Sequence, residues 1–199
     1  MPLLHDDRRL VRRIQQGDRN AFEEFVDSYG ARVHSLVRRN VDNSADAEDV
    51  TQEIFVDLYR SIGSFRGEAA LGTWIYRIAM NHCLKHRQRN KPNCVPYDEA
   101  LSAEEDWRVD PMRSATRQEL TDQVRVALDG LSPLHRDVVI LHELHGLTYQ
   151  ECAVVLEVPV GTVKSRLSNA FRRLRESLGG YVLGSGVAVS SEALGEVSR

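Results

Sequence analysis

Apolar residues recur along this chain every three or four positions, the spacing that lines side chains along one stripe of an α-helix. Over residues 21–39, Phe22, Phe25, Val26, Tyr29, Val33, Leu36 and Val37 fall on or near one face. Residues 45–60 follow the pair Asn43 and Ser44 and place Ala47, Val50, Ile54 and Leu58 on an inner arc, with Asp49, Gln52, Glu53 and Val56 outside. Ile75, Ile78, Ala79 and Cys83 give residues 73–89 a buried side, and a shorter helix is predicted ahead of Gly17. The pattern then lapses. Residues 94–115 hold Pro96, Pro111 and the acidic run EEDWRVD and read, with Pro92 just before them, as a flexible linker. Helical spacing returns over 116–131, and Ser132 followed by Pro133 is a start signal for a helix carrying Val138, Leu141 and Leu144. The chain therefore reads as all-α: two small helical bundles, residues 1–93 and 116–178, joined by that linker.

The most informative stretch is 147–178. Thr148 with Glu151 three places on is a capping box, and Leu147 just outside is a staple residue for Cys152. Pro159 lacks the donor that a helix interior needs, so one helix ends near 156–158 and another opens near Val160. At about 100° per residue, Val163, Leu167, Ala170, Leu174 and Leu178 share one arc, while Lys164, Ser165, Ser168, Asn169, Arg172 and Arg173 lie largely opposite. A helix of this width enters the DNA major groove, where Arg or Lys donates to guanine and Asn pairs both ways with adenine. The pattern is that of a helix-turn-helix with a recognition helix second. From Gly179 the chain turns to glycine and serine with little charge, a tail predicted to be loosely packed.

The formal net charge of -3 argues against nucleic acid only until the charges are located. Residues 61–91 carry six basic side chains against one acidic and residues 158–178 carry five against one, whereas 41–60 and 92–122 each carry a local charge of -5. Local fields, not the total, bind phosphate. Two basic patches suggest two contacts on one nucleic acid, and the acidic face of Asp49, Gln52 and Glu53 with Val56 has the character of a docking surface for a basic partner. In 73–89, Trp74 and Tyr76 are interleaved with Arg77, Asn81 and Lys85, the mixture that stacks bases and neutralises phosphate on single strands. Ahead of them, the loop over 61–72 has Gly63, Gly67 and Gly72 beside Phe65, and glycine permits close approach of backbone to a ligand.

Chemistry of other kinds has little support. Cys83, Cys94 and Cys152 make neither a disulfide framework nor a paired zinc motif, and HELH at 142–145 is too short to set two histidines at the HExxH spacing. No phosphate-cradling glycine motif, paired carboxylates or nucleophilic triad is legible, so neither enzyme activity, cofactor nor metal is expected. No apolar run reaches the roughly 18 residues of a membrane span, and the opening MPLLHDDRRL is unlike a secretory signal, which points to the cytoplasm.

These segments together resemble the extracytoplasmic-function group of the sigma-70 family. DAEDVTQEIFVDLYR at 46–60 is similar to that family's region 2.2, SFRGEAALGTWIYRIAMNHCLKHRQR at 64–89 to regions 2.3 and 2.4, and 131–176 to region 4. The resemblance implies a promoter-specific initiation factor of RNA polymerase, serving a stress, envelope or redox response. Asp49, Gln52, Glu53 and Val56 would meet the clamp helices of the largest polymerase subunit, and the outer helices of 116–178 its flap tip. Phe65, Arg66 and Gly67 would border a flipped base of the -10 element, with Trp74, Tyr76, Arg77, Asn81 and Lys85 along the opened strand. Thr162, Lys164, Ser165, Arg166, Ser168 and Asn169 would read the -35 duplex, with Arg172 and Arg173 on its phosphates. It also permits an anti-sigma factor as inhibitor. The competing readings are a two-domain DNA-binding regulator independent of polymerase, which would dimerise on a palindrome, and an enzyme whose scattered residues converge in space.

Overall fold

The computed structural model describes residues 5–41, 43–90 and 117–185, and every regular element among them is helical. The linker over 94–115, Cys94 and the tail beyond Ser185 lie outside the described residues.

Helices α1 (His5–Gln15), α2 (Arg19–Asn40), α3 (Ser44–Ser61) and α4 (Leu71–Arg89) make the first bundle, with a 3-10 turn at Ile62–Ser64 after α3. Local chemistry sets their starts. The Asp18 carboxylate accepts the Ala21 N–H ahead of α2, and the Asn43 amide oxygen accepts the Ala45 N–H ahead of α3, each satisfying a donor left over by the first helical turn. Gly17 takes φ +85 between α1 and α2, a left-handed conformation that costs glycine nothing. The inner arc read from the sequence of α3 is its buried set: Ala47, Val50, Ile54 and Leu58. They meet a core that includes Phe25, Leu36, Leu71, Ile75 and Met80, each less than 2 % exposed. Burying a side chain of this size stabilises the fold by about 1.5–3 kcal/mol before conformational entropy is counted.

Beyond the linker come α5 (Arg117–Asp129), α6 (Pro133–Val139), α7 (Tyr149–Leu156) and α8 (Val160–Ser185). Two features depart from the sequence pattern. Helix α6 does not run on regularly but opens into a π-helical turn over Ile140–Leu144, and Leu144 is 46 % exposed instead of joining the buried row of Val138 and Leu141. A wider turn advances each residue by a smaller angle, so a three-residue spacing falls short of the buried face. Helix α8 also runs past its expected end, through Gly179 and Gly180 to Ser185. Each glycine costs a helix only about 1 kcal/mol relative to alanine, and no proline follows Pro159 to stop it.

The chain groups into two compact units, Met1–Pro96 with Asp137–Ser165 and Tyr97–Arg136 with Arg166–Arg199. The grouping does not follow the linker, because within the first unit α7 lies against α4. Arg87 of α4 gives both ends of its guanidinium to the Asp137 carboxylate, at 3.0 and 2.8 Å, and that carboxylate side chain is only 3 % exposed. The Tyr76 hydroxyl is 3.1 Å from His145 Nδ1, and the Thr73 hydroxyl donates to Glu151 at 3.3 Å. Hydrophobic periodicity identifies which face of a helix is buried but not which neighbour buries it.

Candidate nucleic-acid and partner interfaces

Three surfaces carry the residues singled out from the sequence. The first is the outer face of α3. Asp49, Gln52, Glu53 and Val56 all border one shallow groove, together with Asp57, Arg60 and His82. Four-residue spacing keeps Asp49, Glu53 and Asp57 on one stripe. His82 of α4 closes the groove: Nε2 lies 2.8 Å from Asp57 and Nδ1 3.6 Å from Glu53. Val56 and Tyr59 are 47 % and 58 % exposed, an apolar step beside the acids, which is the composition of an interface core with a charged rim. Asp57, Arg60 and Tyr59 were not singled out from the sequence, although continuing the Glu53 stripe by four residues reaches Asp57.

The second surface is a cleft of about 510 Å³ lined by Ser64, Phe65, Arg66, Glu68, Ala69, Trp74, Arg77 and Val154. Phe65 and Trp74 meet with ring centroids 5.1 Å apart and planes tilted by 49°, and the exposed Arg66 and Arg77 flank them. Gly67 takes φ +76 in the loop, with nothing within 4 Å of where a Cβ would sit, so the position calls for glycine on conformation and not on close approach. Of the other residues assigned to the opened strand, Tyr76 is 6 % exposed, its ring against His145 and its hydroxyl at the His145 Nδ1, just ahead of α7. Asn81 is half-buried and does not line the cleft. Lys85 instead lines a different groove with Asp46, Asp49, Glu53, Asp57, His86 and Arg89. On a helix, Trp74, Arg77, Asn81 and Lys85 share a stripe that Tyr76 lies off, but Lys85 is three turns along from Trp74 and so beyond the cleft; composition alone could not sort them. Val154 comes to the cleft from α7, an arrangement that only the folded chain reveals.

The third surface belongs to α7 and α8. The capping box is complete: the Thr148 hydroxyl accepts from the Glu151 N–H, and the Glu151 carboxylate accepts from the Thr148 N–H. Glu157 ends α7 at φ +55, and after Pro159 the chain re-enters helix at Val160. Val163, Leu167 and Ala170 are buried, which leaves Lys164, Ser165, Ser168, Asn169 and Arg172 exposed and Thr162 half-buried. Arg166 and Arg173 are half-buried, each with its Nε enclosed, at the border of the face and not at its centre. The Lys164 ammonium sits 5.8 Å from the centre of the Tyr149 ring, whose face is turned 33° from the plane of His142 at 4.6 Å.

Two of the three cysteines lie in the core. Cys83 and Cys152 are both fully buried, and burial pushes each thiol up to about 12, far from the thiolate that reacts. Among the described residues no group of three or more His, Cys, Asp or Glu is placed to hold a metal ion, and no helix is long and apolar enough to cross a membrane.

A helix-turn-helix with a basic outer face, in one chain with an aromatic cleft flanked by arginines and an acidic helix face, is the make-up of a helical DNA-binding transcription factor. Residues 25–92 match the family described as Sigma-70 region 2, and residues 121–174 that described as Sigma-70, region 4. The chain is 36% identical over 180 residues to the RNA polymerase sigma-H factor of Pseudomonas aeruginosa, covering 86% of this chain and 93% of that one. It is 37% identical over 172 residues to the ECF RNA polymerase sigma-E factors of Haemophilus influenzae and Escherichia coli, covering 82% of this chain and 90% of theirs. Among solved structures it is similar to CnrH in complex with the cytosolic domain of CnrY, with a TM-score of 0.65, 25% identity, and 87% and 97% of the two chains covered. The sigma factor RpoE of Bartonella quintana, solved with the anti-sigma factor NepR, has the same fold at a TM-score of 0.60 and 22% identity, over 79% of this chain and 96% of that one. This chain belongs to the sigma-70 family of RNA polymerase sigma factors, in its extracytoplasmic-function group. It is a transcription initiation factor, with core RNA polymerase and promoter DNA as its partners.

Proposed function

We propose that two functional modules, residues 1–93 and 116–178, divide the work of initiation, in the cytoplasm and without catalysis by the chain itself. Asp49, Gln52, Glu53 and Val56 dock on the clamp helices of polymerase, and the outer helices of the second module hold the flap tip. Lys164, Ser165, Ser168 and Asn169 read the -35 duplex with Thr162 and Arg166 beside them, and Arg172 and Arg173 meet its phosphates. Phe65, Arg66 and Gly67 frame a base flipped from the -10 element, while Trp74 and Arg77 support the opened strand.

The observation that carries this reading is the Phe65 and Trp74 pair between Arg66 and Arg77. Unpaired bases stack on such rings while cations neutralise phosphate, and extruding a base from the duplex costs only a few kcal/mol. A surface that binds the opened strand better than the duplex shifts the equilibrium toward opening, so no catalytic group is required. Asn81 and the exposed Lys85 continue the strand's path along α4, whereas Tyr76 joins it only after the segment that carries His145 and α7 leaves α4, since Tyr76 is covered and bonded to His145. An anti-sigma factor that holds α7 against α4 is a consistent means of control, and the likeness to CnrH, which binds the cytosolic domain of CnrY, supports a partner of that kind.

The test is transcription in vitro with purified core polymerase on a genomic promoter library. The chain is expected to direct initiation to a discrete set of starts, and the double variant Asp49→Lys, Glu53→Lys to lose core association while keeping its helical circular dichroism. Unchanged polymerase affinity in a pull-down removes the acidic face from the docking surface.

A further inference from the structure

We propose that Gln15 is a positioning residue for the strand-binding cleft: from the last turn of α1, its side-chain amide holds the turn that carries Phe65. The proposal rests on the reading of that cleft given above and names a residue outside it.

The Gln15 amide nitrogen donates to the Ile62 carbonyl at 3.0 Å and to the Phe65 carbonyl at 3.1 Å. Those two carbonyls stand at the ends of the 3-10 turn, which the Phe65 N–H closes by donating to Ile62 as well. A primary amide carries two N–H donors on one nitrogen, which is what spanning both carbonyls needs, and a carboxylate of the same shape offers none. The anchor end is itself tied down. Arg13 donates to Asp18 at 2.9 Å and to Glu24 at 2.6 Å, and the Gly17 N–H donates back to Ile14, so the end of α1 is fixed to the start of α2.

On the far side of the turn, Phe65 leads into the exposed Arg66 and into Gly67 at φ +76, where the chain changes direction. The Phe65 ring meets Trp74 on α4 and is one wall of the cleft. Gln15 thus fixes from behind the loop that Trp74 meets in front. Gln15 is exposed and lies outside the buried core, so the role predicted for it is order in the loop, with little effect on global stability. A loop held in its binding conformation before the ligand arrives spares the ligand the cost of ordering it.

The experiment uses the full chain and a single-stranded DNA 12-mer enriched by wild-type protein from a random library. Gln15→Ala and Gln15→Glu are expected to bind it roughly five- to thirtyfold more weakly, the effect of one or two modest hydrogen bonds. In a Trp107→Phe background, Trp74 fluorescence is expected to become more accessible to acrylamide. The melting temperature and core-polymerase affinity stay at wild-type values, which a general structural defect would not allow. Wild-type strand binding and Trp74 quenching in both variants overturn the brace, as does loss of strand binding in step with melting temperature and polymerase affinity. Failure of the wild-type chain to enrich any strand overturns the cleft reading instead, and Trp74 quenching then decides the brace alone.

Discussion

Glu157 occupies a conformation that suits glycine better. At φ +55 and ψ +41 it ends α7 in the left-handed region, where a Cβ crowds the carbonyl, and its own N–H and that of Val158 both return to the Ala153 carbonyl. Glu157→Gly is expected to stabilise the fold by about 0.5–1 kcal/mol after glycine's greater unfolded freedom is counted, read as a higher urea midpoint at unchanged slope. At the other end of the same helix, Thr148→Ala removes the hydroxyl half of the capping box, leaving the backbone N–H of residue 148 on the Glu151 carboxylate, and is expected to cost about 1 kcal/mol. The two ends differ in how legible they are. A capping box is a local pattern, complete within four residues of sequence, so Thr148 and Glu151 announce it. A left-handed glutamate is dictated by where α8 must begin after Pro159, and nothing in the glutamate itself declares it.

Between elements, the contacts of α4 with His145 and Asp137 make two predictions. Burial, with the Arg39 and Arg32 charges adding to it, pushes His145 down from 6.5 to about 4, so the folded chain holds the imidazole neutral beside Tyr76. Between those two values the unfolded chain binds more protons than the folded one, and stability therefore rises with pH. The contribution is complete above about 6.5 and is lost as pH falls toward about 4. Urea titrations across that window are expected to show a steeper fall for wild type than for His145→Gln. The Arg87 and Asp137 pair acts in a different way. Removing one partner of a buried, two-pronged ion pair leaves a charge stranded, at a cost of about 3–5 kcal/mol, whereas replacing both with apolar residues is close to neutral. Arg87→Met alone is expected to loosen the segment that begins at Asp137 from α4, seen as faster hydrogen exchange over 137–156, and the double variant Arg87→Met, Asp137→Leu to restore protection. Equal exchange in wild type and single variant would show that the pair does not hold these elements together. Arg87 reads in the sequence as one more cation in a basic helix end, because a partner fifty residues away leaves no local mark.

At the scale of the molecule, charge is partitioned: acidic on the outer face of α3, basic near the cleft and along α8. On the proposed reading the partition separates a polymerase-docking surface from DNA-binding ones despite a net charge of -3. Lys164→Ala with Asn169→Ala is expected to weaken -35 duplex binding while leaving single-strand binding by the cleft unchanged, measured by anisotropy on each probe. Their salt responses should differ as well. The duplex interaction loses a phosphate or base-edge cation and its slope against salt shallows, while the cleft's slope does not. Most of the fold was legible in advance because helical periodicity, caps and Pro159 are local signals. The phase shift at the π turn over Ile140–Leu144 and the run of α8 to Ser185 were not, since both depend on how a continuing helix is accommodated by its surroundings.

By itself the sequence determined the helix-turn-helix, the residue types of three surfaces and most of the helices and buried stripes, Leu144 and the ends of α6 and α8 excepted, because each is set by spacing within a turn or two of backbone. Only the tertiary structure decided which residues converge: Phe65 and Trp74 as a cleft with Val154 at its edge, Tyr76 buried against His145, and Gln15 reaching the turn behind Phe65. Those meetings join residues far apart along the chain, and their positions depend on how the helices pack, which no repeat along one helix encodes.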